Sequence, residues 1–167
     1  LTSLISQENM ALMKKAIEEA KKRGIYIITN PSMSMVNHRP EELKHAMHNS
    51  QVIIMNGKAS MLITGEKDVD SAIKKLKDYG AETVIVTLDV RGALVLDNER
   101  TFRVPSYKVK VVDTTGGGDS FTAGFIHAKY HGYSNEEAVK FASAVAALNI
   151  VTPGASTDLP SENYVVE

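Results

Sequence analysis

The chain has 167 residues, enough to bury a sizeable core within one domain, and 43% of them are hydrophobic and 23% charged, as in ordinary soluble proteins. Lys plus Arg is 19 and Asp plus Glu is 20, a formal charge of −1 that argues against nucleic-acid or membrane-surface binding driven by bulk charge. The absence of cysteine excludes disulfides, thiolate zinc sites and a thiol nucleophile.

No apolar run approaches the ~18 residues of a membrane-spanning helix, and no signal peptide is recognisable, so a cytoplasmic setting is expected. The chain opens Leu1-Thr2-Ser3 without a methionine, which reads as a piece of something longer.

Helix-like and strand-like segments alternate along the chain. Ser6 is placed to cap a helix running to about Arg23, with Met10, Met13, Ile17 and Ala20 on one face and Gly24 ending it. Residues 25–29 form a two-sided apolar run of the kind found in buried parallel strands, broken by Asn30-Pro31-Ser32. A short helix is expected over 41–47, then a second strand over 52–55, broken at Asn56-Gly57. Residues 68–79 read as a helix with Val69, Ile73 and Leu76 inward, and 83–88 as a third buried strand followed by a turn over 89–92. Residues 93–96, 102–104 and 107–112 look like shorter, antiparallel strands. Helices follow over about 120–131 and 134–150, the second opened by a Ser134/Glu137 capping box. Such alternation implies a mainly parallel sheet covered on both faces, with ligands bound beyond the carboxyl ends of the strands. The breaks at Asn30, Asn56, 87–92 and 113–119 all follow strands and are expected to converge on one cleft.

The stretch Val112-Asp113-Thr114-Thr115-Gly116-Gly117-Gly118-Asp119-Ser120-Phe121 carries the chemistry. Consecutive glycines admit a ligand close to the backbone, and the following helix directs its unpaired N–H groups and positive dipole end at the same point. Together they suit a phosphate or a developing anion. No Lys-Ser/Thr follows the last glycine and the spacing is not that of a dinucleotide fingerprint, so neither of those phosphate loops applies. A carboxylate at Asp119 beside an anion hole suits a general base that removes a hydroxyl proton during phosphoryl transfer. The competing reading is local: Asp119 caps the helix for ~1 kcal/mol and the glycines make a tight turn.

Asp-Thr-Thr-Gly-Gly-Gly-Asp-Ser-Phe resembles the C-terminal signature of the ribokinase family, the PfkB-type carbohydrate kinases, whose usual form has Gly-Ala-Gly before the aspartate. Thr87-Leu88-Asp89-Val90-Arg91-Gly92-Ala93 resembles the family's Thr-Leu-Gly-x-x-Gly nucleotide loop. Asn30-Pro31 and Asn56 follow successive strands as they do there, and Val151-Thr152-Pro153-Gly154-Ala155 resembles the segment that closes the nucleotide site. The resemblance implies a ribokinase-like three-layer α/β/α fold with a mainly parallel sheet, residues 1–167 being a partial domain without the N-terminal part and lid. It implies transfer of the γ-phosphate of ATP to a hydroxyl of a small sugar or nucleoside by in-line displacement. Asp119 would be the general base, with Gly116, Gly117 and Gly118 as the anion hole. Asn56, Thr87, Leu88, Asp89, Arg91 and Gly92 would lie along the nucleotide, and the helix face at Ser143 and Ala146 would flank adenine. Mg²⁺ would accompany ATP. A K⁺ ion beside the anion hole would take Asp113, Thr115, Asn149, Thr152 and Gly154 as ligands. A homodimer is implied as well, and neither nucleic acid nor membrane as a partner.

Three features depart from the family pattern. The family's Asn-x-x-Glu, whose Glu helps organise Mg²⁺, reads Asn56-Gly57-Lys58-Ala59 here, and loss of such an outer group weakens metal binding ~10–100-fold. Lys58 is an alternative direct phosphate contact. The first glycine of the nucleotide loop is Asp89, which must point away from the triphosphate or bind metal unless Arg91 intervenes. No Gly-Gly-x-x-x-Asn segment of the sugar-binding half is present. The second functional reading is therefore a non-catalytic nucleotide-binding or regulatory module. His45 and His48, spaced i and i+3, read as surface residues rather than metal ligands. Met33, Met35 and Met47 read as packing.

Overall fold

The computed structural model describes residues 6–155, 160–161 and 164–165; the opening Leu1-Thr2-Ser3 lies outside them. The described elements are α1 (Gln7–Lys22), β1 (Ile28–Thr29), α2 (Met33–His38), α3 (Pro40–His48), β2 (Val52–Asn56), α4 (Gly57–Thr64), α5 (Val69–Lys77), β3 (Thr83–Thr87), β4 (Ala93–Leu96), β5 (Thr101–Val104), α6 (Gly117–Tyr130) and α7 (Asn135–Asn149). The five strands form one mixed, mostly parallel sheet in the order β1-β2-β3-β4-β5. The fold class is the expected α/β, helices alternating with a mainly parallel sheet. The chain divides into two units, Leu1–Thr87 with Leu94–Phe102, and Leu88–Ala93 with Arg103–Glu167. Among the described residues no helix is long and apolar enough to cross a membrane.

In the first unit, Ser6 accepts the Asn9 N–H at 3.2 Å and starts α1, whose buried face is Met10, Met13 and Ile17. The helix closes in a Schellman turn, with the Ile25 N–H on the Ala20 carbonyl at 2.8 Å and the Gly24 N–H on that of Lys21 at 3.2 Å. That turn shortens the first strand. Instead of residues 25–29, only Ile28 and Thr29 pair, while Ile25 and Tyr26 are 54% and 48% exposed. The Ile27 N–H goes to the Gln51 side chain at 2.8 Å, which ends the ladder at the sheet's edge.

β1, β2 and β3 are parallel, with Ile28 opposite Val52, Val52 opposite Thr83 and Asn56 opposite Thr87. Val52 to Met55 and Thr83 to Val86 are buried, as strands covered on both faces require. Ser50 Oγ donates to the Ala46 carbonyl at 2.8 Å, so the buried Thr29 hydroxyl, 2.7 Å away, donates to Ser50.

Two helices escape the sequence pattern. α2 is only six residues long, too short to show a period, and is begun by Ser32. α4 follows β2 without a break, because Asn56 accepts the Ala59 N–H at 2.8 Å and turns an apparent loop into a cap. In α5 the inward set is Ala72, Ile73 and Leu76, Val69 being half-buried. β3 and β4, and β4 and β5, are adjacent strands joined by a few residues, and such short connections require antiparallel pairing. Met35 and Met47 are buried, consistent with packing.

The second unit is built on α6 against α7, with Phe125 fully buried. A Cβ at Gly124 would lie 3.0 Å from Ala142 Cα and from a Val145 methyl, so glycine sets the closeness of that helix crossing. Ser134 and Glu137 make the expected capping box. The third short strand, 107–112, is not formed. Tyr107, Val109, Val111 and Val112 are all exposed, so neither alternating face is buried, and the Val112 and Asp113 N–H groups both go to the Ile150 carbonyl instead of a ladder.

Leu76→Ala should cost about 2–5 kcal/mol, read as a lower urea midpoint at unchanged m-value. The Ser134 hydroxyl and N–H hold the Glu137 carboxyl below its ordinary value of 4.5. A carboxyl lowered by folding adds stability above its unfolded pKa, and that stability fades as pH falls through the lower folded value. The melting temperature of Glu137→Gln should therefore fall less steeply than that of the wild type as pH drops below about 4.5.

Candidate active site

The chemistry-bearing loop is organised by Asp113. Its Oδ1 accepts the Thr115 hydroxyl at 2.7 Å and the Thr115 N–H at 2.9 Å, and its Oδ2 accepts the Gly154 N–H at 3.0 Å. These bonds hold the Asp113 carboxyl below the ordinary carboxylate value, the Thr115 hydroxyl contributing most. One side chain thus ties the loop before α6 to the loop after α7.

α6 begins at Gly117, three residues earlier than the sequence pattern places it, with Gly116 as its N-cap. Gly116 has φ +78°, and a Cβ there would lie 2.7 Å from the Ala155 carbonyl oxygen and 2.8 Å from Ala155 Cα, so no other residue fits. Gly117 and Gly118 lie in the first helical turn and not in a loop. A Cβ at Gly117 would come within 3.0 Å of an Ile150 methyl, whereas one at Gly118 would meet nothing within 4 Å.

The Gly117 N–H is bonded to the Thr114 carbonyl at 3.2 Å and the Ser120 N–H to that of Gly116 at 2.8 Å. The intervening N–H groups, Gly118 and Asp119, belong to the first turn and have no acceptor within the helix. Asp119 is the third helical residue, not the cap. Its side chain is exposed and makes no hydrogen bond among the described residues. Two unspent amides and a free carboxylate therefore sit side by side at the positive end of a 14-residue helix.

The remaining candidate residues divide between the units. In the first, Asn56 and Thr87 are register partners at the carboxyl ends of β2 and β3. Asn56 caps α4, and Ala59, at the family's Glu position, is fully buried. Lys58 is exposed. In the second, residues 88–92 form a tight turn closed by the Leu88 N–H on the Gly92 carbonyl at 2.7 Å. Asp89 has φ +52°, the only positive φ of a non-glycine residue among those described, in the position where the family carries glycine. Val90 is 85% exposed. Ser143 and Ala146 are half-buried on α7, and the Ser143 hydroxyl is spent on the Val139 carbonyl at 2.8 Å. His45 and His48 are exposed, and a ring nitrogen of His48 lies 3.1 Å from the Tyr79 carbonyl.

The residues proposed for K⁺ are gathered in one place. Beside Asp113, Thr115 and Gly154, the Thr152 N–H and hydroxyl both bond the Asn149 carbonyl, at 3.3 and 3.2 Å. The Asn149 side chain is 1% exposed, and its Oδ1 has no hydrogen-bond partner among the described residues. Such an orphaned acceptor costs roughly 1–3 kcal/mol unless something satisfies it. Sequence reasoning named Asn149 as a K⁺ ligand but did not show that its side chain is buried with an unpartnered oxygen. Among the described residues no group of three or more His, Cys, Asp or Glu gathers to hold a metal. Mg²⁺ commonly binds through one or two carboxylates and substrate phosphates without such a cage.

A cavity of about 590 Å³ opens from Gly116, Asp119 and Ser120 along the apolar wall of Ala123, Gly124, Phe141 and Val145, with His127 on its side. No sequence motif announces it, because it arises from the crossing of α6 and α7.

Comparison with known proteins agrees with this architecture. Residues 1–162 match the pfkB family of carbohydrate kinases, and the chain belongs to that family. It is 30% identical over 157 residues to the ribokinase of Haemophilus influenzae, an alignment covering 91% of this chain and 50% of that protein. It is 33% identical over 149 residues to an ATP-dependent 6-phosphofructokinase of Thermoanaerobacterium thermosaccharolyticum, covering 86% and 46%. A fructokinase of Vibrio cholerae, solved with fructose, ADP and calcium bound, superposes with a TM-score of 0.90 at 25% identity over 98% of this chain and 56% of that one. The chain spans about half the length of the curated relatives it matches.

The three glycines should separate in experiment. Gly116→Ala should destabilise the protein by several kcal/mol, because it combines a positive φ with a backbone collision. Gly118→Ala should leave the melting temperature equal or higher, since it replaces a helical glycine facing open space.

Proposed function

We propose that this chain is the nucleotide-binding, catalytic-base half of a kinase that moves the γ-phosphoryl group of ATP to a hydroxyl of a small sugar or nucleoside. The observation that carries the reading is the free Asp119 carboxylate beside the unspent Gly118 and Asp119 amides at the start of α6. The relatives support it by name: a ribokinase, a deoxyribokinase and a cytidine kinase are among them.

In this reading Asp119 accepts the proton of the acceptor hydroxyl as that oxygen forms its bond to the γ-phosphorus. The bond from that phosphorus to the β,γ-bridging oxygen breaks, leaving ADP. The unspent N–H groups of Gly118 and Asp119 and the helix dipole face the equatorial oxygens, where charge accumulates, while the Gly117 N–H is held by the Thr114 carbonyl. Electrostatics and positioning supply the rate. The proposed nucleotide contacts are Asn56 and Thr87 in the first unit and Leu88, Asp89, Arg91, Gly92, Ser143 and Ala146 in the second, the last two for adenine. Mg²⁺, when bound with ATP, neutralises the phosphate oxygens. A structure neighbour, a ribokinase-like protein from E. coli, was solved with ATP and Mg²⁺. Asp113, Thr115, Asn149, Thr152 and Gly154 hold a K⁺ ion that fixes the loop. The proposed setting is the cytoplasm and the proposed assembly a homodimer.

A second reading, a nucleotide-binding module without turnover, is favoured by Ala59, which removes the family's metal-organising carboxylate, and by Asp89 in a glycine's conformation. Asp119→Asn in the full-length protein decides between them. With turnover as proposed, kcat should fall about 10²–10⁴-fold while the protein stays folded and binds ATP. A variant as fast as the wild type would remove Asp119 from the chemistry. Nucleotide binding without turnover in the wild type would select the module.

A further inference from the structure

The cavity of about 590 Å³ at the crossing of α6 and α7 has the Asp119 carboxylate at one end. Its volume lies within the range of about 300–1,000 Å³ that small-molecule sites span. Ala123, Gly124, Phe141 and Val145 give it an apolar wall, and the Phe141 ring lies nearly parallel to that of His127, at 18° and 5.4 Å between centroids. Among the described residues its polar side chains are Asp119, Ser120 and His127.

Elsewhere the hydroxyls of helical residues are spent on the backbone. Thr64, Thr122 and Ser143 each donate to the carbonyl four residues back, at 2.7, 3.0 and 2.8 Å. Ser120 is only 5% exposed, yet its hydroxyl makes no hydrogen bond among the described residues, and it lines the cavity. A buried hydroxyl left in this way calls for a partner from a ligand.

Two classes of acceptor fit these walls badly. No lysine or arginine occurs in residues 111–128 or 141–167, and none lines the cavity among the described residues. A sugar phosphate seated there would bring its dianion near the Asp119 carboxylate with no cation to offset the repulsion. A free sugar carries a hydroxyl on nearly every carbon, and an apolar wall satisfies none of them. A nucleoside divides as the cavity does, with hydroxyls at one end and a flat, uncharged ring system at the other.

We infer that this cavity seats the acceptor, that the acceptor is an uncharged nucleoside, and that the Ser120 hydroxyl binds its ribose while the base lies along Ala123, Phe141 and Val145. This rests on the reading above, in which Asp119 takes the proton of the acceptor hydroxyl. It adds the class of acceptor and a residue that selects it.

The test is calorimetric binding to the full-length protein with ADP and Mg²⁺ saturating, so that the nucleotide's own site is filled. The probes are cytidine, inosine, ribose and fructose 6-phosphate. At least one of the nucleosides should bind about tenfold or more tightly than ribose and fructose 6-phosphate, because only a nucleoside lays a ring along the apolar wall. Ser120→Ala should weaken nucleoside binding about three- to tenfold, and in turnover should raise the nucleoside KM more than it lowers kcat. Ala123 is exposed, so Ala123→Phe narrows the cavity without repacking a buried position, and it should weaken nucleosides about tenfold or more. Nucleosides bound no better than ribose, or bound equally by the wild type and both variants, would overturn the inference. Phosphorylation of ribose or fructose 6-phosphate by that same protein would leave the kinase reading standing. Nucleoside binding that both variants weaken, with no phosphorylation of any probe when ATP replaces ADP, would keep the cavity as a nucleoside site and overturn the kinase reading instead.

Discussion

Asp113 makes three hydrogen bonds, two to Thr115 and one to Gly154, and the position of α6 depends on them. The loop entering α6 and the loop leaving α7 are far apart in sequence, and the side chain of Asp113 joins them through the Gly154 N–H. An ionised carboxylate that accepts several N–H and O–H donors is a strong and directional tie, because charge-assisted hydrogen bonds are about twice as strong as neutral ones. With Gly154 held in this way, Ala155 lies against Gly116, and that contact leaves no room for a side chain at the helix cap. The direction in which the first amides of α6 point follows from this chain of contacts.

The same geometry gives the triple glycine three separate meanings. Gly116 answers a backbone requirement. Gly117 occupies a tight but passable place beside Ile150. Gly118 is required by nothing within the chain, since a methyl there would meet open space. A glycine that the fold does not need is best explained by something outside the fold. Its neighbours at that point are the unspent amides and the free carboxylate of Asp119. The turn at Asp89 shows the opposite case. There a carboxylate occupies a left-handed conformation that glycine would adopt without strain, so the turn over residues 88–92 carries a local cost that the turn at Gly116 avoids.

Much of this was legible in the sequence, where single residues decide local structure. Ser6 and Ser134 cap the helices they were expected to cap, and the apolar runs of β2 and β3 are buried strands. The failures have common physical causes. Asn56-Gly57 reads as a break, yet the Asn56 side chain makes it a helix start. Residues 107–112 alternate like a strand, but strand formation needs a partner and a buried face, and neither is visible in one sequence. The motif pointed to the Asp119 loop, but not to the helix beginning inside it. Nor could it show that the amide of Asn149 is buried with an unanswered oxygen, because that depends on where residues 152–155 return.

The central claim is that the start of α6 is an anion hole for a transferring phosphoryl group, with Asp119 as its base. The most direct measurement is an amide nitrogen–proton NMR spectrum of the protein, recorded with Mg²⁺ and ADP and then with aluminium fluoride added as a mimic of the transferring group. The account predicts that the Gly118 and Asp119 amide resonances shift further downfield on addition of the fluoride than with ADP alone, as new hydrogen bonds form. Fluoride-dependent shifts confined to other segments, or none at all with ADP bound, would contradict it.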